Sequence, residues 1–371
     1  MKIRNWSIFC FIAGYHLLLL ALLPLFIRTF SWPAAALFLA TYVIGGMSIT
    51  TGYHRLYAHK SYIAHPVFEW VVLLGSTLAL QWSARIWAHD HRLHHAHVDT
   101  DDDPYSIKKG LWYAHMGWLF TYQRVFQPKY VRDLDKNPRV VFQDRHYLPL
   151  AIGVNAGVFA IGCLFMHPLA AFYAGFLLRV FMIHHSTWFI NSLAHVWGSR
   201  TFARELSAVD NAVLAFLTFG EGYHNYHHAF ASDYRNGVRW YHFDPTKWLL
   251  WTASKIGIVK GLRAVNRIHL QRTLVKKDKK LLMPLLNQYW DDMTSEIQTK
   301  LDELEESFES RAQSLMNRLG ELKTASKARR RFIKLEIRRL KGELRATWKA
   351  WLELTEFTVE RYHLTRDGGH I

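Results

Sequence analysis

The 371-residue sequence predicts an all-α integral membrane protein with a histidine-rich polar face and a coiled-coil-like C-terminal extension. Three observations predict it. Residues 7–27 are 21 positions without a formal charge, and 33–51 and 148–166 are 19-residue runs of the same kind. Histidines cluster just beyond such runs, as HRLYAH at 54–59, HRLHH at 91–95 and HNYHH at 224–228, with a further one in NSLAH at 191–195. Past residue 275 the apolar positions recur at three- and four-residue spacing.

The first run covers roughly 30 Å at about 1.5 Å per residue, enough to cross a hydrocarbon core. It is longer than a signal-peptide core and no A-x-A site follows, so a retained helix is expected. Residues 168–183, interrupted by Arg179, make a fourth span. Lys2 and Arg4 precede the first span, and Arg124, Lys129, Arg132, Lys136, Arg139 and Arg145 precede the third. This bias places both stretches in the cytosol. Four spans then leave both termini and every histidine cluster on the cytosolic face. Residues 66–82 are also apolar, but a crossing there would separate the first two clusters. Their 17-residue length and Glu69 favour an interfacial helix, and 208–219 is expected to lie at the interface too. The formal net charge of +16 fits contact with anionic headgroups or an anionic substrate, and no nucleic-acid module is visible. Only two cysteines occur, Cys10 and Cys163, which excludes a disulfide framework and an all-cysteine iron–sulfur site.

Positions i, i+3 and i+4 share one helix face. His91, His94 and His95 have that spacing, as do His224, His227 and His228, while Asn191 and His195 are i and i+4. His54 and His59 are five apart and converge only if their helix ends between them. One such box alone arises readily by chance. Several on one membrane face point to metal binding, and imidazole suits iron, zinc or copper. Nine nitrogens exceed the needs of one ion, so two metals are inferred. Asp90, Asp99, Asp101, Asp102, Asp103, Glu221 and Asp233 are candidates to orient the imidazoles. His184 and His185 are expected to pack or support rather than ligate.

HRLYAH, WAHDHRLHHAHVDTDDDPYS, NSLAH and GEGYHNYHHAFASDYRNG together resemble the membrane-bound fatty acyl desaturases of the stearoyl-CoA Δ9 type, over roughly residues 33–260. The resemblance implies four transmembrane helices under a cytosolic helical cap that holds a non-haem di-iron centre. It implies one iron on His54, His59, His91, His95 and His228. The other would take His94, His195, His224 and His227, with Asn191 holding a water. It implies O2-dependent insertion of a cis double bond into a long-chain acyl thioester, acyl-CoA before other carriers. Electrons would come from an external ferredoxin, rubredoxin or cytochrome b5-type donor. Trp87, Asp90, Lys108 and Lys109 align near the carrier end, and Thr187 and Trp188 with the acyl tunnel. Phe38 and Tyr42 are candidates for the tunnel end. Tyr105 and His89 depart from animal members, which have histidine and arginine there, and this leaves acyl-carrier-protein and acyl-lipid substrates open. Rival readings are a histidine-box hydroxylase and a non-catalytic metal transporter.

Residues 1–270 are therefore expected to form the membrane domain and 275–360 a separate helical extension. Residues 291–309 hold eight acids and one lysine, and 323–349 hold eleven bases and two acids, with Gly320 between. This predicts an antiparallel hairpin whose acidic arm pairs with its basic arm. A homodimeric coiled coil, or a basic arm lying on anionic membrane, are the alternatives.

Overall fold

The computed structural model describes residues 2–288 and 292–361. The chain forms two compact units, Met1–Thr201 with Leu206–Ala264, and Phe202–Glu205 with Val265–Ile371.

In the first unit α1 (Trp6–Thr29) is followed by α2 (Trp32–Ser48), which runs on into a π-helix, Ile49–Ala58. Next come β1 (Ile63–Ala64), α3 (Pro66–Thr77) and α4 (Ala84–His97). A π-helical turn at Tyr113–Gly117 leads into α5 (Trp118–Thr121). Helix α6 (Pro138–Arg145) bends by 80° into α7 (Tyr147–Cys163). Helix α8 (Pro168–Phe172), a π-helical segment (Tyr173–Leu178) and α9 (Arg179–Asn191) follow end to end. Three short helices complete the unit: α10 (Ala212–Leu217), α11 (His224–Ala229) and α12 (Pro245–Lys255). Strand β2 (Val259–Lys260) then pairs antiparallel with β1, Ala64 opposite Val259.

Among the described residues, three helices are long and apolar enough to cross a membrane: Trp6–Thr29, Trp32–Ala58 and Pro168–His195. The bent α6–α7 pair makes a fourth if it counts as one span. The apolar stretch at 66–82 is helical only over the 12 residues of α3, about 18 Å, which is too short to cross. Helix α3 packs on α2 at Gly75, where a Cβ would lie 2.2 Å from Ser48 Oγ.

Arg179 is fully buried inside its span. Its Nε donates to Gly175 O at 2.8 Å, and its two terminal nitrogens donate to Leu78 O and Asn155 Oδ1. A charge away from water survives only when its donors are satisfied. Here the guanidinium also caps the carbonyl at the end of α3, joining α3, α7 and α9.

The second unit holds α13 (Arg267–Leu286), α14 (Asp292–Thr324) and α15 (Lys327–Arg361). Helix α13 starts before the expected boundary at 275 and shares its core with the other two. Helix α14 runs straight through Gly320, because one helical glycine costs only about 1 kcal/mol and Leu319 and Leu322 still pack on that core. Phe308 against Trp348 and Arg318 against Glu336 make α14 and α15 antiparallel. The expected antiparallel hairpin forms, but among the described residues no ion pair joins 291–309 to 323–349. Asp302, Glu305 and Glu309 pair instead with Lys279, Lys276 and Arg272 of α13. The sequence reading left α13 out of the bundle, and its cations reach those acids first.

Replacing Arg179 by alanine leaves the Leu78 carbonyl and Asn155 without their buried donor. The expected loss of stability is about 3 kcal/mol, the scale of breaking a buried charged network. Thermal unfolding of the full chain in detergent measures it; a loss below about 0.5 kcal/mol, the range of surface substitutions, contradicts the clamp.

Candidate metal centre

The spacing of His54 and His59 is resolved by the π-helix. Its hydrogen bonds run i to i+5, and His59 N donates to His54 O at 3.0 Å. The helix ends before His59, as expected, but it is the wider π turn that sets the two imidazoles edge to face, centroids 4.6 Å apart. Arg92 of the second box secures that end. It donates to the carbonyls of Tyr57 and Ala58 and forks onto Asp133.

His91, His94 and His95 project from α4, and His224, His227 and His228 from the six-residue α11. Two tetrahistidine groups result: His54, His59, His91 and His227, and His94, His195, His224 and His228. In each group the ligand nitrogens lie within 4.8 Å of one another. The division differs from the one implied by resemblance, because His227 and His228 exchange places. They are adjacent residues on a helix and point about 100° apart. His54 Nε2 lies 3.1 Å from His227 Nε2, and His224 Nε2 lies 3.0 Å from His228 Nε2. His95 sits between the groups, its Nε2 3.0 Å from His227 Nε2 and its ring stacked on His228 at 4.2 Å. Asn191 lines the cavity beside this cluster.

The donor set fits metal ions. Two nitrogens bound at about 2.1 Å stand roughly 3.0–3.4 Å apart, and the closest Nε2 pairs are 2.8–3.3 Å. His195 Nε2 is buried with no hydrogen-bond partner. Burial pushes the pKa of His91, His95, His224, His227 and His228 well below the usual range, and neighbouring imidazoles push the same way. They are held neutral, the form that ligates metal.

Behind the rings stand acids and hydroxyls. His54 Nδ1 lies 2.8 Å from Glu221, His94 Nδ1 lies 2.9 Å from Asp103, and His195 Nδ1 lies 2.6 Å from Ser207 Oγ, which donates to Asp99. Such contacts fix each ring with Nε2 facing inward. Burial raises the Glu221 pKa, but His54 and Arg55 outweigh it and hold the carboxyl ionised. Arg55, also buried, donates to Glu221 at 3.0 Å and to Asp244 at 3.0 Å. Of the acids proposed from sequence, Asp99, Asp103 and Glu221 serve the imidazoles. Asp90 pairs with Arg124, Asp233 with Arg235, and Asp101 and Asp102 are exposed. Ser207 and the Arg55 anchor were missed, and Tyr105, 3.3 Å from His91 Nδ1, was noted only as a departure. Nothing in their spacing marks them.

A mainly apolar cavity of about 820 Å³ reaches the cluster at His54 and His91. Trp87, Asp90, Thr187, Trp188 and Tyr42 line it, whereas Phe38 stacks behind Tyr42. Lys108 and Lys109 do not line it. They are exposed on a 3-10 turn, where Lys109 Nζ donates to Asp101 O at 2.7 Å. His185 bridges His16 at 3.0 Å and His115 at 3.1 Å with opposite ring nitrogens, so it ties α9 to α1 and to the turn at 113–117 instead of chelating.

The result is a buried polyhistidine cluster with the donors for metal ions, at the ends of apolar helices and open to an apolar cavity. The family comparison makes this specific: residues 30–257 match the fatty acid desaturase model, and the chain belongs to that family. It is 42% identical over 249 residues to a Schizosaccharomyces pombe protein named "Probable acyl-CoA desaturase", covering 65% of this chain and 51% of the relative. It is 38% identical over 247 residues to acyl-CoA desaturase 1 of Saccharomyces cerevisiae, covering 64% and 48%. It is 36% identical over 263 residues to the sn-2 palmitoyl-lipid 9-desaturase of a Nostoc species, covering 69% and 89%. The chain thus spans about half the length of the two yeast relatives.

Asp103→Asn keeps the shape that accepts from Tyr105 N but removes the charge behind His94. Metal affinity of the full chain, measured by chelator competition, is expected to fall about 10- to 100-fold. An unchanged affinity contradicts the anchoring role.

Proposed function

We propose that this chain is an acyl desaturase that inserts a cis double bond at Δ9 of a saturated long-chain acyl thioester, acyl-CoA in the first instance. The observation that carries the reading is the pair of tetrahistidine groups at the inner end of an apolar cavity, in a chain of the desaturase family. The names of the yeast relatives support acyl-CoA, and that of the Nostoc relative supports the Δ9 position.

Two iron ions are the proposed cofactor, one on each tetrahistidine group, with His95 between them and Asn191 holding a water. Bound there, and given O2, they supply the oxidant that takes two hydrogens from adjacent methylenes. One O2 becomes two waters, so two electrons and two protons must arrive from outside. A protein electron donor of the ferredoxin, rubredoxin or cytochrome b5 type is proposed as their source. The chain's own residues do the rest. Asp99, Asp103 and Glu221 fix the imidazoles, the cavity wall excludes water, and Trp87, Thr187 and Trp188 hold the acyl chain beside His54 and His91. Asp90 with Arg124 stands where the polar carrier end would enter. The proposed topology is four spans with both termini and a helical cap on the cytosolic side.

Expression in a host lacking its own acyl desaturation, with mass spectrometry of total fatty acids, tests the reading. A new cis-Δ9 monounsaturated acid is expected, falling to background with His91→Ala or His224→Ala. Hydroxy acid without alkene would reassign the chain as a hydroxylase. Altered metal uptake with unchanged lipids would make it a transporter.

A further inference from the structure

Helix α15 carries a one-sided row of cations that its own bundle does not neutralise. Its buried positions are Ile333, Ile337, Leu340, Leu344, Thr347 and Trp351. Lys327, Arg330, Arg331, Lys334, Arg338, Lys341 and Arg345 all fall within roughly 100° of arc on another side of an ideal helix. All seven are exposed, and none has a carboxylate partner among the described residues. The two acids in this part of the helix lie away from the row: Glu336 pairs with Arg318, and Glu343 with Arg339. The ion-paired acids of α14 do not neutralise it either: Asp302, Glu305 and Glu309 are engaged by α13, Glu296 by Lys300, and Glu321 by Arg318 and Arg329, which lies outside the row. Two large apolar side chains, Leu335 at 56% and Phe332 at 61% exposure, lie to one side of the row, about 40° and about 100° beyond its edge on an ideal helix.

We infer that this face of α15 is a docking surface for anionic lipid headgroups. Cations in a row with exposed apolar residues beside them suit the boundary between headgroups and acyl chains. The row runs about 27 Å from Lys327 to Arg345 at 1.5 Å per residue, long enough to meet several headgroups at once. The chain carries membrane-spanning helices, so a lipid surface is always at hand and the effective concentration is high. A nucleic acid would meet the charges, but it gives no reason for Phe332 and Leu335 to be exposed.

The test uses the full chain in lipid nanodiscs, with Cys10 and Cys163 replaced by alanine and a polarity-sensitive fluorophore on Leu335→Cys. In discs containing phosphatidylglycerol the emission is expected to shift to the blue and to be quenched by brominated acyl chains. Neither effect is expected in phosphatidylcholine alone. Salt at 1 M, where the screening length is about 3 Å, should reverse both. So should the combined change of Arg331, Lys334, Arg338, Lys341 and Arg345 to glutamine, which touches only exposed positions and should leave the circular dichroism unaltered. Identical emission in both lipids would overturn the inference, as would a response to single-stranded RNA that exceeds the response to anionic lipid. Metal content and desaturation play no part in this readout, so its failure is separate from that of the proposed function.

Discussion

Neutral imidazoles crowded out of water are the constraint around which the first unit is organised. Each buried ring presents a lone pair to its neighbours, and the closest nitrogens stand about 3 Å apart with little to hold them there but the fold. Three devices keep them in place. The π turn aligns His54 with His59, the short helix α11 fans His224, His227 and His228 into both groups, and buried acids behind the rings fix which nitrogen faces inward. Arg55 and Arg92, each next to a histidine of the cluster in sequence, hold the scaffold from behind. One locks Glu221 and Asp244 together, and the other caps the end of the π-helix.

The same constraint links fold to chemistry. The cavity that reaches the cluster is mainly apolar, and in the proposed function it is where an aliphatic chain would lie beside the imidazoles. Arg179 supports this from a distance, because it closes the end of α3 and ties it to α7 and α9, and α7 and α9 line the cavity. A buried guanidinium is a costly way to join helices. It is sustained here because each of its three nitrogens donates to an oxygen, Gly175 O, Leu78 O or Asn155 Oδ1.

Much of this was legible in the sequence, in the parts governed by local rules. The apolar runs marked the helices long enough to span, and the i, i+3, i+4 spacing put the histidines of each box on one helix. Requiring the boxes to meet excluded a crossing at 66–82, and α3 is indeed short. What was not legible depends on backbone geometry or on distant partners. An α-helical wheel cannot foresee that five-residue spacing closes on a π turn. It also cannot say which of His227 and His228 turns to which group, since that follows from how α11 sits against α4. Ser207 and Tyr105 reach their imidazoles from loops, and the pairing of α14 with α13 reflects a third helix that the charge pattern of two arms did not include.

The central claim is that the imidazoles form two separate metal sites divided at His227 and His228. Metal analysis with Mössbauer spectroscopy on the iron-57-loaded full chain tests it most directly. The account predicts two irons per chain in two nitrogen-rich environments, with His227→Ala perturbing one signal and His228→Ala perturbing the other. One iron per chain, or the same signal altered by both substitutions, would contradict it.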